Sequence, residues 1–198
     1  MRVIAGIHRS RRLAAPADSE TTRPITDRVK QALFDRLWSM GRFDAAQPAQ
    51  HVLDVFCGVG SLGIEALSRG AGHCTFVERD RKIRALLEEN LDRLGLRETA
   101  TIVGQDACVG AWIDRVAPPS SLIFCDPPYR MTGDPNRDDV PRLVGRLAAA
   151  AASDALLVLR VERDVPPRVV EAWSGPDRHV YGSMALHFYA RNDAGHST

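Results

Sequence analysis

The chain has 198 residues, 44% of them hydrophobic, and a net charge of +1, which suits one folded domain with a full core and excludes a chain disordered by composition. No apolar stretch reaches ~18 residues, so no membrane-spanning helix is expected, and the basic N-terminus lacks the apolar segment of a secretory signal, so the cytoplasm is the expected compartment. The small net charge hides an asymmetry, because residues 1–42 hold nine basic and four acidic side chains against seventeen basic and twenty-one acidic in the rest; such a basic arm suits a polyanion gripped by its backbone.

In chain order, residues 2–14 read as a short β-hairpin that carries Arg9, Arg11 and Arg12. Thr26 is placed to cap a helix running to about Met40, with Val29, Leu33 and Leu37 at helical spacing and Phe34 and Trp38 widening the stripe. Residues 45–50 link this helix to an apolar run, 51–56, that leads into Cys57-Gly58-Val59-Gly60-Ser61-Leu62-Gly63. A helical pattern follows, with Gly70 placed to end it. Strand, glycine turn and helix form the entry to a nucleotide-binding crossover, where glycines let backbone approach a ligand closely. Gly58, Gly60 and Gly63 also satisfy G-x-G-x-x-G, and Glu78 lies 18 residues beyond Gly60, so the glycines alone fit a dinucleotide fold equally well. Asp54 separates the two readings. A carboxylate at the end of the first strand repels a pyrophosphate but can hold a cation, directly or through water, and S-adenosylmethionine carries an ammonium and a sulfonium and no phosphate.

Further acids fall at successive strand ends. Residues 74–78 read as a second strand closed by Glu78, which can take both hydroxyls of a ribose. Residues 100–104 read as a third, followed by Asp106, able to accept from an adenine amine, and by Ala107, whose N–H can reach a ring nitrogen. Residues 121–125 read as a buried strand that ends in Asp126-Pro127-Pro128-Tyr129. The prolines stiffen this turn and free its carbonyls. Asp126 and the Pro127 carbonyl can then accept the two N–H groups of an exocyclic amine while Tyr129 offers a stacking face. A further strand is expected over 155–161, helices over 61–69, 81–94, 108–116 and 139–151, and a terminal hairpin over 179–191. The alternation calls for a mostly parallel sheet with helices on both faces. The alanine run 148–152 reads as good helix. Cys57, Cys74, Cys108 and Cys125 have no C-x-x-C spacing and the six histidines form no ligand pattern, so neither a metal nor a disulfide is expected.

With these residues in place the chain resembles the class I AdoMet-dependent methyltransferases, through Asp54 to Gly60, Glu78, Asp106 and the D-P-P-Y turn. The N-terminal Met1-Arg2-Val3-Ile4-Ala5-Gly6, Arg9-Ser10-Arg11-Arg12-Leu13 and Arg23-Pro24-Ile25-Thr26-Asp27-Arg28-Val29 resemble the RsmD-type family. The resemblance implies a Rossmann-like α/β fold with a seven-stranded sheet and S-adenosylmethionine as cofactor. It implies methylation of the N2 amine of a guanine in small-subunit rRNA, as free RNA or in an assembly intermediate. It implies cofactor contacts from Asp54, Phe56, Gly58, Gly60, Glu78, Arg79, Asp106, Ala107 and Asp126, catalytic roles for Asp126, Pro127 and Tyr129, and RNA contacts from Arg9, Arg11, Arg12, Arg23, Thr26 and Arg28. On this reading residues 1–44 dock RNA, 45–191 form the methyltransferase domain and 192–198 a flexible tail. A DNA adenine-N6 methyltransferase would use the same D-P-P-Y grip, but the chain has no second domain to read a DNA sequence. A protein-glutamine methyltransferase would carry Asn in place of Asp126. A non-catalytic RNA-binding assembly factor would have no need of every motif acid.

Overall fold

A computed structural model of the chain describes residues 1–16, 25–43, 50–109, 111–134 and 137–192. Helix α1, Asp27–Ser39, starts at Thr26, whose hydroxyl accepts from the Val29 N–H at 3.3 Å, and it turns Val29, Leu33, Phe34 and Leu37 inward. Strand β1, His51–Val55, leads through the glycine turn into α2, Ser61–Ser68, and β2, His73–Val77. Asp80 caps α3, Arg81–Leu94, which Gly95 ends in the left-handed conformation. Then follow β3, Ala100–Val103, β4, Ser120–Cys125, the single turn α4, Tyr129–Thr132, and α5, Asp139–Leu147. Strands β5, Ala151–Glu162, β6, Trp173–Tyr181, and β7, Met184–Arg191, close the described chain.

These strands form one seven-stranded sheet in the order β3-β2-β1-β4-β5-β7-β6. The first five are parallel, β7 runs antiparallel to β5, and β6 antiparallel to β7. The order reverses between β1 and β4, which opens a crevice at their carboxyl ends, where open α/β sheets bind ligands. Residues from α1, α2 and α3 pack with Val52, Phe76, Phe124 and Val158 on one face. On the other, α5, Trp112 and Trp173 cover Leu53, Val55, Ile123 and Leu157. Val3 and Leu13 of the N-terminal arm join the first core.

Four expectations need correction. Residues 2–14 double back as a hairpin would, but without regular strands: the antiparallel Arg2–Arg12 bridge and backbone bonds joining Met1 and Val3 to Ser10, Arg11 and Leu13 close a loop of turns. No α-helix forms over the described part of 108–116, only a 3-10 turn at Ile113–Arg115, because Val109, Gly110 and Ile113 are poor helix formers. The alanine run is not continuous helix. Ala148–Ala150 is a 3-10 turn and Ala151 already pairs with Ser120, so sheet pairing overrides helix propensity and β5 begins four residues before the expected start. Trp38 is 63% exposed and lies off the apolar stripe of α1. The boundary expected at 44/45, and all of the expected tail beyond Asn192, lie outside the described residues. Among the described residues no helix is long and apolar enough to cross a membrane.

Candidate active site

The crevice brings the predicted acids to one edge. Asp54, one residue before the end of β1, is 1% exposed. Its Oδ2 accepts from the Gly63 N–H of α2 at 2.8 Å, and its Oδ1 is buried with no hydrogen-bond partner among the described residues. Burial pushes its pKa up to about 8, opposed by the Gly63 N–H and assisted by the charges of Asp126 and Glu78. Gly58 has φ +56 and open space where a side chain would stand. Gly60 and Gly63 serve packing instead: a Cβ would come within 2.5 Å of Leu87 Cδ1 at the first and 2.3 Å of Phe76 Cε1 at the second. Of the three glycines, only Gly58 therefore faces room for a ligand. Phe56, half-buried, also has a left-handed φ, +59, so the turn is shaped from its first residue.

Glu78, just past β2, braces the turn, its Oε2 accepting from the Gly58 N–H at 3.2 Å and its Oε1 from the Asp80 N–H at 2.8 Å. Asp106 is placed beyond β3 as expected, but its oxygens are engaged. Oδ1 accepts from the Cys108 N–H at 2.9 Å and Oδ2 from Arg79 Nη1 at 2.6 Å. The Cys108 N–H, then Arg79, hold its carboxyl below the usual range against modest burial. A ligand amine at Asp106 must share or displace the exposed Arg79. Ala107 is buried, and its carbonyl accepts from Trp112 Nε1 at 3.3 Å.

The D-P-P-Y turn stands on the adjacent strand. Asp54 pairs in register with Phe124, and the Asp126 N–H donates to the Val55 carbonyl at 3.1 Å, so Asp126 and Asp54 are neighbours at the crevice. Asp126 Oδ1 accepts from Nε of Arg160, a residue of β5 that is only 7% exposed. The Arg160 guanidinium carbon lies 5.5 Å from the centroid of the Tyr129 ring. Burial raises the Asp126 pKa and Arg160 opposes the rise. The Tyr129 hydroxyl is buried without a hydrogen-bond partner among the described residues. Sequence reasoning missed Arg160. The available signal was a charged residue inside the apolar run 156–161, where β alternation turns it to the same face as Val158. Beyond Tyr129 a cavity of about 590 Å³ opens between α4, α5 and the ends of β5 and β7, away from the glycine turn.

The N-terminal arm is fixed to α2 by a buried polar cluster that sequence reasoning also missed. Glu65, fully buried, accepts from the N–H groups of Ile4 and Ala5 at 2.7 and 3.0 Å and from Arg69 Nε at 2.8 Å. The equally buried Lys30 ammonium lies 3.5 Å from Glu65 and donates to the Arg2 carbonyl at 2.6 Å and the Ser61 hydroxyl at 3.2 Å. Gly6 passes so close to α2 that a Cβ would stand 1.7 Å from the Ser68 carbonyl oxygen. Asn90 of α3 bonds both backbone groups of Ala14 and also donates to the Val59 carbonyl, at 3.2 Å, inside the glycine turn. Arg9, Arg11 and Arg12 are exposed on the arm, and Thr26 and Arg28 are exposed at the start of α1; Arg23 lies outside the described residues.

The comparisons with known proteins agree along the whole chain. The family model described as conserved hypothetical protein 95 matches residues 1–190. Ribosomal RNA small subunit methyltransferase D of Escherichia coli is 34% identical over 200 residues, covering 100% of this chain and 93% of its own. The solved structure of a hypothetical protein of Thermus thermophilus superposes with a TM-score of 0.72 at 30% identity, over 95% of this chain and 98% of that one. The structure of an rRNA methyltransferase from Streptomyces viridochromogenes shares the fold at 15% identity, with a TM-score of 0.65 over 87% of this chain and 88% of that one.

Proposed function

The chain belongs to the conserved hypothetical protein 95 family, that of the RsmD-type rRNA methyltransferases, and from that premise we propose how it acts as an rRNA methyltransferase and on which atom. The target is the exocyclic N2 amine of a guanine in small-subunit rRNA, and the methyl donor is S-adenosylmethionine. When bound, the donor supplies an electrophilic methyl on a sulfonium centre. The observation that carries this reading is the pairing at the crevice of a buried carboxylate, Asp54, whose Oδ1 has no partner among the described residues, with the acceptor turn Asp126-Pro127 on the next strand.

The residues fit the donor. Asp54 Oδ1, buried and without a partner among the described residues, suits a cation, and Gly58 leaves open space in the turn that follows β1. Glu78 offers carboxylate oxygens for a ribose diol, and Phe56, Arg79, Asp106 and the Ala107 N–H complete the cofactor side. An exocyclic amine is a weak nucleophile because its lone pair is delocalised into the ring. Asp126 and the Pro127 carbonyl each accept one of its N–H groups, which favours a more tetrahedral nitrogen with its lone pair free for in-line transfer. The methylated nitrogen is strongly acidic, so its proton leaves late, to Asp126 or water. Such chemistry needs the base out of its stack, and Tyr129 holds it by its face. Residues 1–44 grip the RNA backbone through Arg9, Arg11, Arg12, Arg23 and Arg28, with Thr26 beside them, on a protein that works in the cytoplasm.

The test is transfer of a labelled methyl to free 16S rRNA, to small-subunit particles and to DNA, followed by mapping of the modified atom. Label on a guanine N2 is the expected result. Label confined to adenine N6 of DNA, or absent from all three while the cofactor binds, overturns the reading.

A further inference from the structure

Arg160 is a buried arginine planted between the two halves of the turn that grips the base. Its strand neighbour Leu159 pairs in register with Cys125, which brings residue 160 beside Asp126 at the carboxyl ends of β5 and β4. Asp126, Arg160 and Asp54 share one face of the sheet, since the adjoining Cys125, Leu159 and Val55 all belong to the core of the other face. From there the guanidinium does two things at once. Its Nε donates to Asp126 Oδ1, and its guanidinium carbon lies over the Tyr129 ring, 5.5 Å from the centroid.

We propose that Arg160 is a positioning residue for the methyl transfer: it fixes the Asp126 carboxylate through one oxygen, leaves the other to accept the amine, and locks the Tyr129 ring at a set offset from that acceptor. The inference rests on Asp126 gripping the amine, as proposed above. Its chemistry follows from the geometry. A carboxylate that must accept an N–H is useful only when ionised, and burial opposes the ionisation of Asp126, whose titratable neighbours are Asp54 on β1 and the Cys125 thiol on β4. Tyr129 on α4 brings a ring and a hydroxyl but no cation. Arg160 on β5 is the cation paired with it. An arginine is suited to the place because its charge is permanent and its planar head can stack and donate together.

The test begins with the ligand-free parent, followed by NMR of the Asp126 carboxyl carbon and the Arg160 Nε–H across a pH titration. The two resonances should shift with one midpoint; an Arg160 signal indifferent to Asp126 overturns the proposal, whether or not the RNA chemistry proves right. In Arg160→Gln the Asp126 midpoint should rise by about one pH unit or more, since a paired cation ordinarily depresses a carboxyl by that much. The acid limb of the single-turnover rate should move up with it, while S-adenosylmethionine binding stays near the parent value. Arg160→Lys keeps the charge and should recover most of the shift but not the full rate, because an ammonium cannot stack as the guanidinium does. An unchanged Asp126 midpoint in Arg160→Gln removes Arg160 from the machinery. A parent that titrates as expected but transfers no methyl sinks the proposed function instead.

Discussion

Asp54 has to be read as an acid that folding makes reluctant to ionise. Its carboxyl titrates at about 8 in the ligand-free protein, against about 3.9 when unfolded. A raised folded pKa means that the folded state binds the extra proton between these values, so this side chain's share of stability falls as pH rises from about 4 to about 8. Asp54→Asn should remove that slope from thermal unfolding. If Asp54 meets the donor's cation, binding must drive the proton off, and at pH 7 calorimetry in buffers of different ionisation heat should record up to about one proton released per ligand, and none in Asp54→Asn. Equal proton release in both proteins would take Asp54 out of the cofactor site. On the substrate side, Asp126→Ala should nearly abolish turnover with little change in S-adenosylmethionine affinity. Tyr129→Phe should keep most activity, whereas Tyr129→Ala should lose ~1–3 kcal/mol of stacking, read as single-turnover rate on the preferred RNA. If Asp126→Ala turns over like the parent, the turn is only a strand cap. The strand-end acids were legible because each follows an apolar run that announces its strand. Arg160 was not, because its partner lies 34 residues away and only the β4–β5 register brings them together.

Among the elements, the best-specified by sequence were those with both a period and a cap. The expected bounds of α3, 81–94, are those observed, where Asp80 and Gly95 mark its ends. Elements chosen by composition alone failed, as with the alanine run, because strand pairing at Ser120 and Ala151 outweighs a propensity worth fractions of a kcal/mol per residue. The arm's attachment was illegible for a related reason: Lys30 and Glu65 look in sequence like solvated charges on two unrelated helices. In the fold they are a buried pair, with the Lys30 pKa lowered by burial and partly restored by Glu65. Glu65→Ala would leave that ammonium, Arg69 and two arm N–H groups without their carboxylate, and should cost about 3–5 kcal/mol in denaturant unfolding. A loss under ~1 kcal/mol would mean that water or a shifted arm replaces the clamp.

For the whole molecule, the charge asymmetry read from the sequence acquires an address. The arm's arginines stand exposed on a segment whose backbone is pinned to α2, so their charge is presented from a fixed base. Replacing Arg9, Arg11 and Arg12 together with Ala should weaken rRNA binding and flatten its dependence on log salt by about 2, at ~0.7 per lost phosphate contact. Cofactor affinity should not change. An unaltered salt slope would make the arm a solvated loop.

One side chain makes that arm and the glycine turn parts of a single instrument. Asn90 holds Ala14 with one set of bonds and the Val59 carbonyl with another, so neither segment can shift without disturbing the bonds of the other. Whatever factor the small molecule contributes to the grip on the polymer, the polymer must return to the small molecule, since the free energy connecting two bound states does not depend on the order of filling. Asn90→Ala should therefore shrink both factors equally: rRNA affinity measured with and without S-adenosylmethionine, and S-adenosylmethionine affinity measured with and without rRNA, should converge by the same ratio. If that factor is favourable, each partner is held more tightly while the other is bound.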